Sequence, residues 1–250
     1  MELDRVTSPV ALYPDPLLAQ VLTAATFSTD IPDAAHWADQ HHYLAPDAIA
    51  QAAQGDQVPW DPSVQALLPF PSVLEMMATD MAWTQELGDA FLARPQDVMD
   101  AVQRDRQQAV NYGYLRSNNQ VRVSTGPYVE IQPVDPAFVV VPYYDPGVVF
   151  VRPRPGFRVA AAINFGFGVR LGAAWAPWGW GSSRFAWNTH TVFINNAPWR
   201  RTWVNRATYV HPYTVRRYTV RAPEGHRLEG RSPRERQDDR AGRQRREEHH

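Results

Sequence analysis

The stretch densest in chemistry-bearing residues is aromatic and basic. Trp178, Trp180, Trp199 and Trp203 are interleaved with Arg184, Arg200, Arg201 and Arg206, and Arg216 and Arg217 follow. Indole rings stack on sugars or bases, guanidinium forks grip carboxylates and phosphates, and both suit a membrane interface. The same residues can instead build a glycine-spaced aromatic core. The expectation is a mixture, with some rings buried and the arginines facing outward. Catalytic constellations are weak by comparison. His36 and His41 are five positions apart, off the i,i+4 face that helical metal pairs share, and the His36, His41, His42 group lacks an H-E-x-x-H arrangement. Exposed helix-end histidines are expected there, with no metal and no cofactor. Asp80, Glu86 and Asp89 lie in one helical region as a conceivable carboxylate pair, yet nothing marks which would stay protonated. Asp15, Asp61 and Asp145 each precede a proline, which points to caps and turns. No G-x-S-x-G elbow, P-loop or dinucleotide fingerprint occurs. Absence of cysteine excludes disulfides, thiolate zinc sites and cysteine nucleophiles. No catalytic residue is assigned.

A formal net charge of −1 conceals a segregation. Residues 1–115 hold 16 acidic side chains against 4 arginines, net −12, whereas residues 116–250 hold 21 arginines against 10 acids, net +11. From Pro146 to Pro223 there are 11 arginines and no acid. Such a field calls for an anionic partner, unless the two halves neutralise one another within one folded unit or dimer. All 25 basic residues are arginine; base composition explains that as well as any preference for forked donors.

The elements that must position these residues divide at Val139–Phe150, VVVPYYDPGVVF, which reads as two short strands joined by an Asp145-Pro146-Gly147 turn. Before it lies an Ala- and Leu-rich half with helical periodicity. Asp15 is placed to cap a helix opening at Pro16, with Leu17, Leu18, Val21 and Leu22 on one face. Further helices are expected after Pro32, from Pro46 to Gln54, after Asp61-Pro62, from a Ser72/Glu75 capping box through Leu87, and from Pro95 to a Gly113 cap. Residues 120–124 and 128–132 form a hairpin signal around Gly126-Pro127. Val159–Leu171 alternates large apolar with small residues, the period of a strand. Too many glycines, with Asn164, Arg170 and Pro177, argue against a membrane span over residues 159–181. The fold class is α+β. A bundle of about six helices (6–115) is followed by a β extension (119–151), a basic aromatic β-rich segment (152–221) and a disordered tail (222–250) that is nearly free of apolar residues. The helical part is expected to fold on its own.

Four ordered blocks, VALYPDPLLAQVL, PWDPSVQALLPFPSVLEMM, WTQELGDAFLARPQDVMDAVQRDR and VVVPYYDPGVVF, resemble the bacterial domain-of-unknown-function family 3300 over residues 6–151. The motif residues are Tyr13, Pro14, Asp15, Pro16, Trp60, Asp61, Pro62, Tyr143, Tyr144, Asp145 and Pro146. The resemblance implies a mostly exported protein of the Gram-negative periplasm or envelope, with a variable tail rich in Gly, Trp, Tyr and Arg. It brings no catalytic residues. The sequence as given opens without a signal peptide.

The expected function is therefore non-enzymatic binding of an anionic envelope component through the Arg/Trp-rich half. Lipid, lipopolysaccharide and polysaccharide are the partner classes, and peripheral membrane association is compatible with them. The alternatives are an adaptor that uses a groove of the helical part to bind a partner protein, and nucleic-acid binding, which an exported location disfavours. A shared solvent face of Arg and Trp would favour surface binding, whereas an open apolar groove among the helices would favour the adaptor.

Overall fold

Proline sets the start of most helices. In the computed structural model, which describes residues 2–157 and 159–215, the helices are α1 (Glu2–Thr7), α2 (Asp15–Ala25), α3 (Ile31–Gln40), α4 (Pro46–Gly55), α5 (Pro62–Gln65), α6 (Pro71–Thr79), α7 (Met81–Ala93) and α8 (Pro95–Asn111). All but α1 and α7 carry proline in their first two positions, where the missing N–H costs no hydrogen bond. The expected helix from Ser72 through Leu87 is two helices. At Asp80 the backbone leaves the helical region, and its carboxylate accepts from Trp83 N at 3.0 Å to cap α7. The Ser72/Glu75 capping box does not form, because the chain enters α6 at Phe70-Pro71 with no side-chain cap. Gly113 closes α8 as expected, at φ 79°, donating to Val110 O at 2.9 Å.

Beyond α8 the strands are short. β1 (Val121–Thr125) and β2 (Val129–Pro133) form the expected antiparallel hairpin, with Val123 opposite Ile131. Two expectations need correction. Val139–Phe150 is not a hairpin: β3 (Phe138–Val139) and β4 (Pro142–Tyr144) lead into a helical turn, α9 (Pro146–Val149). Asp145 caps that turn by accepting from Gly147 N at 2.8 Å, so Asp-Pro-Gly starts a helix here. Nor is Val159–Leu171 one strand. It is a 3-10 turn followed by β5 (Ile163–Phe165) and β6 (Val169–Arg170), which pair antiparallel with β4 and β3 respectively. The break falls at Gly166-Phe167-Gly168. A Cβ at Gly168 would lie 2.4 Å from the Phe138 ring, and Phe167 is fully exposed, so the large residues do not share one buried face. A three-stranded meander follows: β7 (Arg184–Ala186), β8 (Thr191–Ile194) and β9 (Ala197–Pro198).

The core centres on α2, of which every residue but Pro16 is buried. A helix apolar on one face gains burial on its other faces only when something covers them. Here the cover is the acid-free segment. Trp175, Trp178, Trp180, Trp187 and Trp199 belong to the same buried cluster as Leu17, Leu18, Val21 and Leu22. Their polar edges find partners on the helical half: Trp175 Nε1 donates to Pro46 O at 2.9 Å, Trp178 Nε1 to Gln65 Oε1 at 3.1 Å and Trp180 Nε1 to Ala66 O at 2.9 Å. From α2 itself, Gln20 Nε2 donates to Trp178 O at 3.0 Å. Each such ring buries ~150–250 Å², on the order of 4–6 kcal/mol before ordering costs.

Candidate functional site

The basic aromatic residues divide into a buried set and an exposed one. Trp178, Trp180 and Trp199 are less than a tenth exposed, so they are core and not contact residues, a correction that follows from their cover of the helical half. Trp203 is the exception at 43% exposure, and it sits in the loop Arg200–Arg206 beside Val204, which is 94% exposed.

This loop is built by its own polar side chains. Thr202 N donates to Asn205 Oδ1 at 2.6 Å, Asn205 N to Thr202 Oγ1 at 3.3 Å, and Asn205 Nδ2 to Arg200 O at 2.9 Å. Short Asn and Thr side chains mimic backbone turns in this way and stiffen the tip. Trp203 N donates to Leu92 O at 3.0 Å, anchoring the tip to the end of α7. The guanidinium of Arg206 lies 4.2 Å over the Trp203 ring and donates to Trp203 O.

The arginines do different work. Arg201 is structural: its Nη1 donates to Thr26 O at 2.7 Å, and its Cζ stands 3.6 Å over the Phe27 ring. Burial lowers its pKa from the usual arginine value, opposed by the Asp61 charge. Arg200 and Arg206 are exposed and have no carboxylate partner among the described residues. Arg184, also exposed, donates to Asn196 Oδ1 at 3.1 Å and covers the Phe193 ring. Arg216, Arg217 and the tail from residue 222 lie outside the described residues.

The motif residues are mostly structural. Asp61 caps α5 by accepting from Ser63 N at 2.9 Å, and His211 Nε2 approaches its Oδ1 to 3.3 Å. That approach is close enough for an ion pair but not aligned as a hydrogen bond. Pro62 opens α5, and Trp60 is buried beside Trp37. Pro146 opens α9 after the Asp145 cap, while Pro14 precedes α2 and Pro16 stands in its first turn. Tyr144 is half-buried, and its hydroxyl donates to Ser8 O at 2.7 Å; burial raises its pKa well above the usual tyrosine value. Tyr143 is exposed and donates to Ser72 Oγ at 3.2 Å, and buried Tyr13 reaches Met76 Sδ at 3.7 Å.

Asp15 departs from expectation, because it caps nothing. Its Oδ1 pairs with Arg106 Nη1 at 2.6 Å and accepts from Ile131 N at 3.3 Å, while Oδ2 accepts from Gln132 Nε2 at 3.2 Å and Trp187 Nε1 at 3.4 Å. Arg106 also donates to the carbonyls of Ala11, Val129 and Tyr13. Sequence reading passed over Arg106, although an arginine inside an amphipathic helix pattern was the available signal.

The carboxylates Asp80, Glu86 and Asp89 share no site: Asp80 caps α7, Glu86 pairs with Arg5 at 2.6 Å, and Asp89 is exposed. His41 stacks on Trp37 at 3.8 Å, and His36 and His42 are exposed. Among the described residues no group of three side chains could hold a metal ion, and no helix is long and apolar enough to cross a membrane.

Comparison with known proteins adds a relationship without an activity. The family model described as "Protein of unknown function (DUF3300)" matches residues 1–221. The chain is 34% identical to "Uncharacterized protein YacH" of Escherichia coli (strain K12) over 218 residues, covering 69% of this chain and 35% of that protein. It thus spans about a third of the curated relative's length. No solved structure matches it.

Proposed function

The chain belongs to the family of proteins of unknown function DUF3300, and from that premise we propose that it is a peripheral binder of anionic surfaces of the cell envelope, acting through the Arg200–Arg206 loop. The observation that carries this reading is the tip itself. A loop stiffened by Thr202 and Asn205 holds Trp203 and Val204 in solvent, flanked by Arg200 and Arg206, which have no acid partner among the described residues. Tryptophan prefers the headgroup level of a membrane, and arginine adds attraction to anionic lipid. A stiff tip loses little entropy when it docks. The adaptor reading has less support, because the apolar surface of α2 is already covered by the tryptophan segment.

Sedimentation with phosphatidylglycerol and phosphatidylcholine vesicles tests the proposal. Binding is expected to the anionic vesicles only and to weaken as salt rises, since exposed charges are screened beyond about 10 Å at 0.1 M. Trp203→Ala with Val204→Ser should weaken it without lowering the melting temperature. Equal binding to both vesicle types, or indifference to the double substitution, would sink the reading.

A further inference from the structure

The loop also walls a cleft that its surface role leaves unexplained. Phe91, His190, Thr191, Trp199, Arg200 and Thr202 are among the residues that line a cleft of about 330 Å³. That volume is at the low end of ligand sites, which run ~300–1,000 Å³. Within it the Phe91 and Trp199 rings stack with centroids 5.3 Å apart, and Trp203 N donates to Leu92 O at 3.0 Å.

The polar chemistry of the wall has one sign. Arg200 makes no side-chain hydrogen bond or ion pair among the described residues. Arg201 spends its Nη groups on Thr26 O and Arg206 O, whereas its Nε and the indole N–H of Trp199 are sealed from solvent and have no acceptor among the described residues. Thr202 adds a hydroxyl that accepts from Asn205 N, whereas the Thr191 hydroxyl donates to Thr189 O at 3.1 Å. Asp100 is engaged by His190 Nε2 at 2.8 Å, and Asp61 and Asp30 face Arg201 as further charges. His190 is held at φ 50°, a left-handed conformation rare for a residue with a side chain, so the wall is built at some conformational cost.

We propose that this cleft is a phosphoryl-binding site, in which Arg200 supplies the charge and the Thr202 hydroxyl a neutral donor. Forked guanidinium donors beside a hydroxyl fit a tetrahedral oxyanion. This deepens the surface-binding reading and rests on it only for the source of the phosphate, which is either a lipid headgroup or a free phosphoryl compound.

The test uses the full chain. Sodium phosphate is titrated against sodium chloride at matched ionic strength, followed by melting temperature and tryptophan fluorescence. Phosphate should stabilise the wild type above chloride. Arg200→Gln should weaken the response about tenfold or more, the scale of one lost charged hydrogen bond. Arg200→Lys should retain part of it, and Arg122→Gln, which removes an exposed charge outside the cleft, should leave it unchanged. Phosphate protection that also competes with phosphatidylglycerol vesicles would assign the lipid source; protection without vesicle binding would assign the free one and would end only the surface reading. No protection of the wild type, or equal protection of Arg200→Gln, overturns the site.

Discussion

Asp15 Oδ1 lies 2.6 Å from Arg106 Nη1, with both side chains sealed from solvent. Around this pair meet the turn before α2, the middle of α8, the β1–β2 hairpin and, through Trp187, the acid-free segment. A buried pair is weak evidence of net stability, but removing one partner strands the other charge at about 3–5 kcal/mol. Asp15→Asn and Arg106→Gln should each lose stability of that order in urea unfolding. The double substitution should cost clearly less than the sum, because no lone charge remains; strict additivity would show that the pair is not coupled.

Asp105 leads to a pH prediction. Its carboxyl is pushed up to about 7, mainly by burial and further by the Asp4 charge, against the lowering effect of the Thr7 hydroxyl that donates to it at 2.8 Å. A carboxyl whose folded pKa exceeds its unfolded value of ~3.9 favours folding when protonated. Its contribution is therefore complete below about pH 4 and lost as pH rises to about 7. Asp105→Asn should flatten that part of the stability profile and raise stability at pH 8. An unchanged profile from pH 4 to 8 would refute the assignment.

Gly88 marks the closest approach of two helices. A Cβ there would stand 2.1 Å from Ala25 O, a backbone atom that cannot turn aside. Gly88→Ala should gain ~1 kcal/mol from helix propensity and lose more than that by forcing α7 away from the end of α2. A net fall in melting temperature is expected, and a rise would mean that the helices separate freely.

Ending the chain at Gly113 should leave helix but not a cooperative fold. The outer side of α2 would lose its tryptophan cover, and Asp15 would lose Ile131, Gln132 and Trp187. Circular dichroism with a thermal melt checks this: a sharp transition like that of the full chain would show that the helices suffice alone.

Much of the local structure was legible because its causes are local. Proline at helix starts, Asp61 before proline, the β1–β2 hairpin and the Gly113 cap depend on a few neighbouring residues and stand as read. Where local signals competed, reading failed. Alternation over Val159–Leu171 matched a strand, but two glycines and the separate edges offered by β3 and β4 divided it. Leu17 and Val21 promised a one-sided helix, and periodicity has no means of showing that a segment more than 150 residues later would bury the other side.

The candidate surface illustrates the same limit. Composition alone determined that the chain has an acid-free, arginine- and tryptophan-rich interval with no cysteine chemistry, and the ordered motifs alone determined its family resemblance. Which tryptophans are core and which is exposed was decided by packing. Trp178 and Trp180 have acceptors at Gln65 and Ala66 to satisfy their N–H groups in the interior, so burial costs them little. Trp203 lies on a loop closed by its own Thr202 and Asn205 and tied to Leu92, which holds its ring at the surface. Pairing was a tertiary decision too: Arg106 found Asp15 across 91 residues, whereas Arg200, identical in type, has no acid partner among the described residues. Residue type determines what a side chain is able to bind, and only the path of the backbone determines what stands next to it.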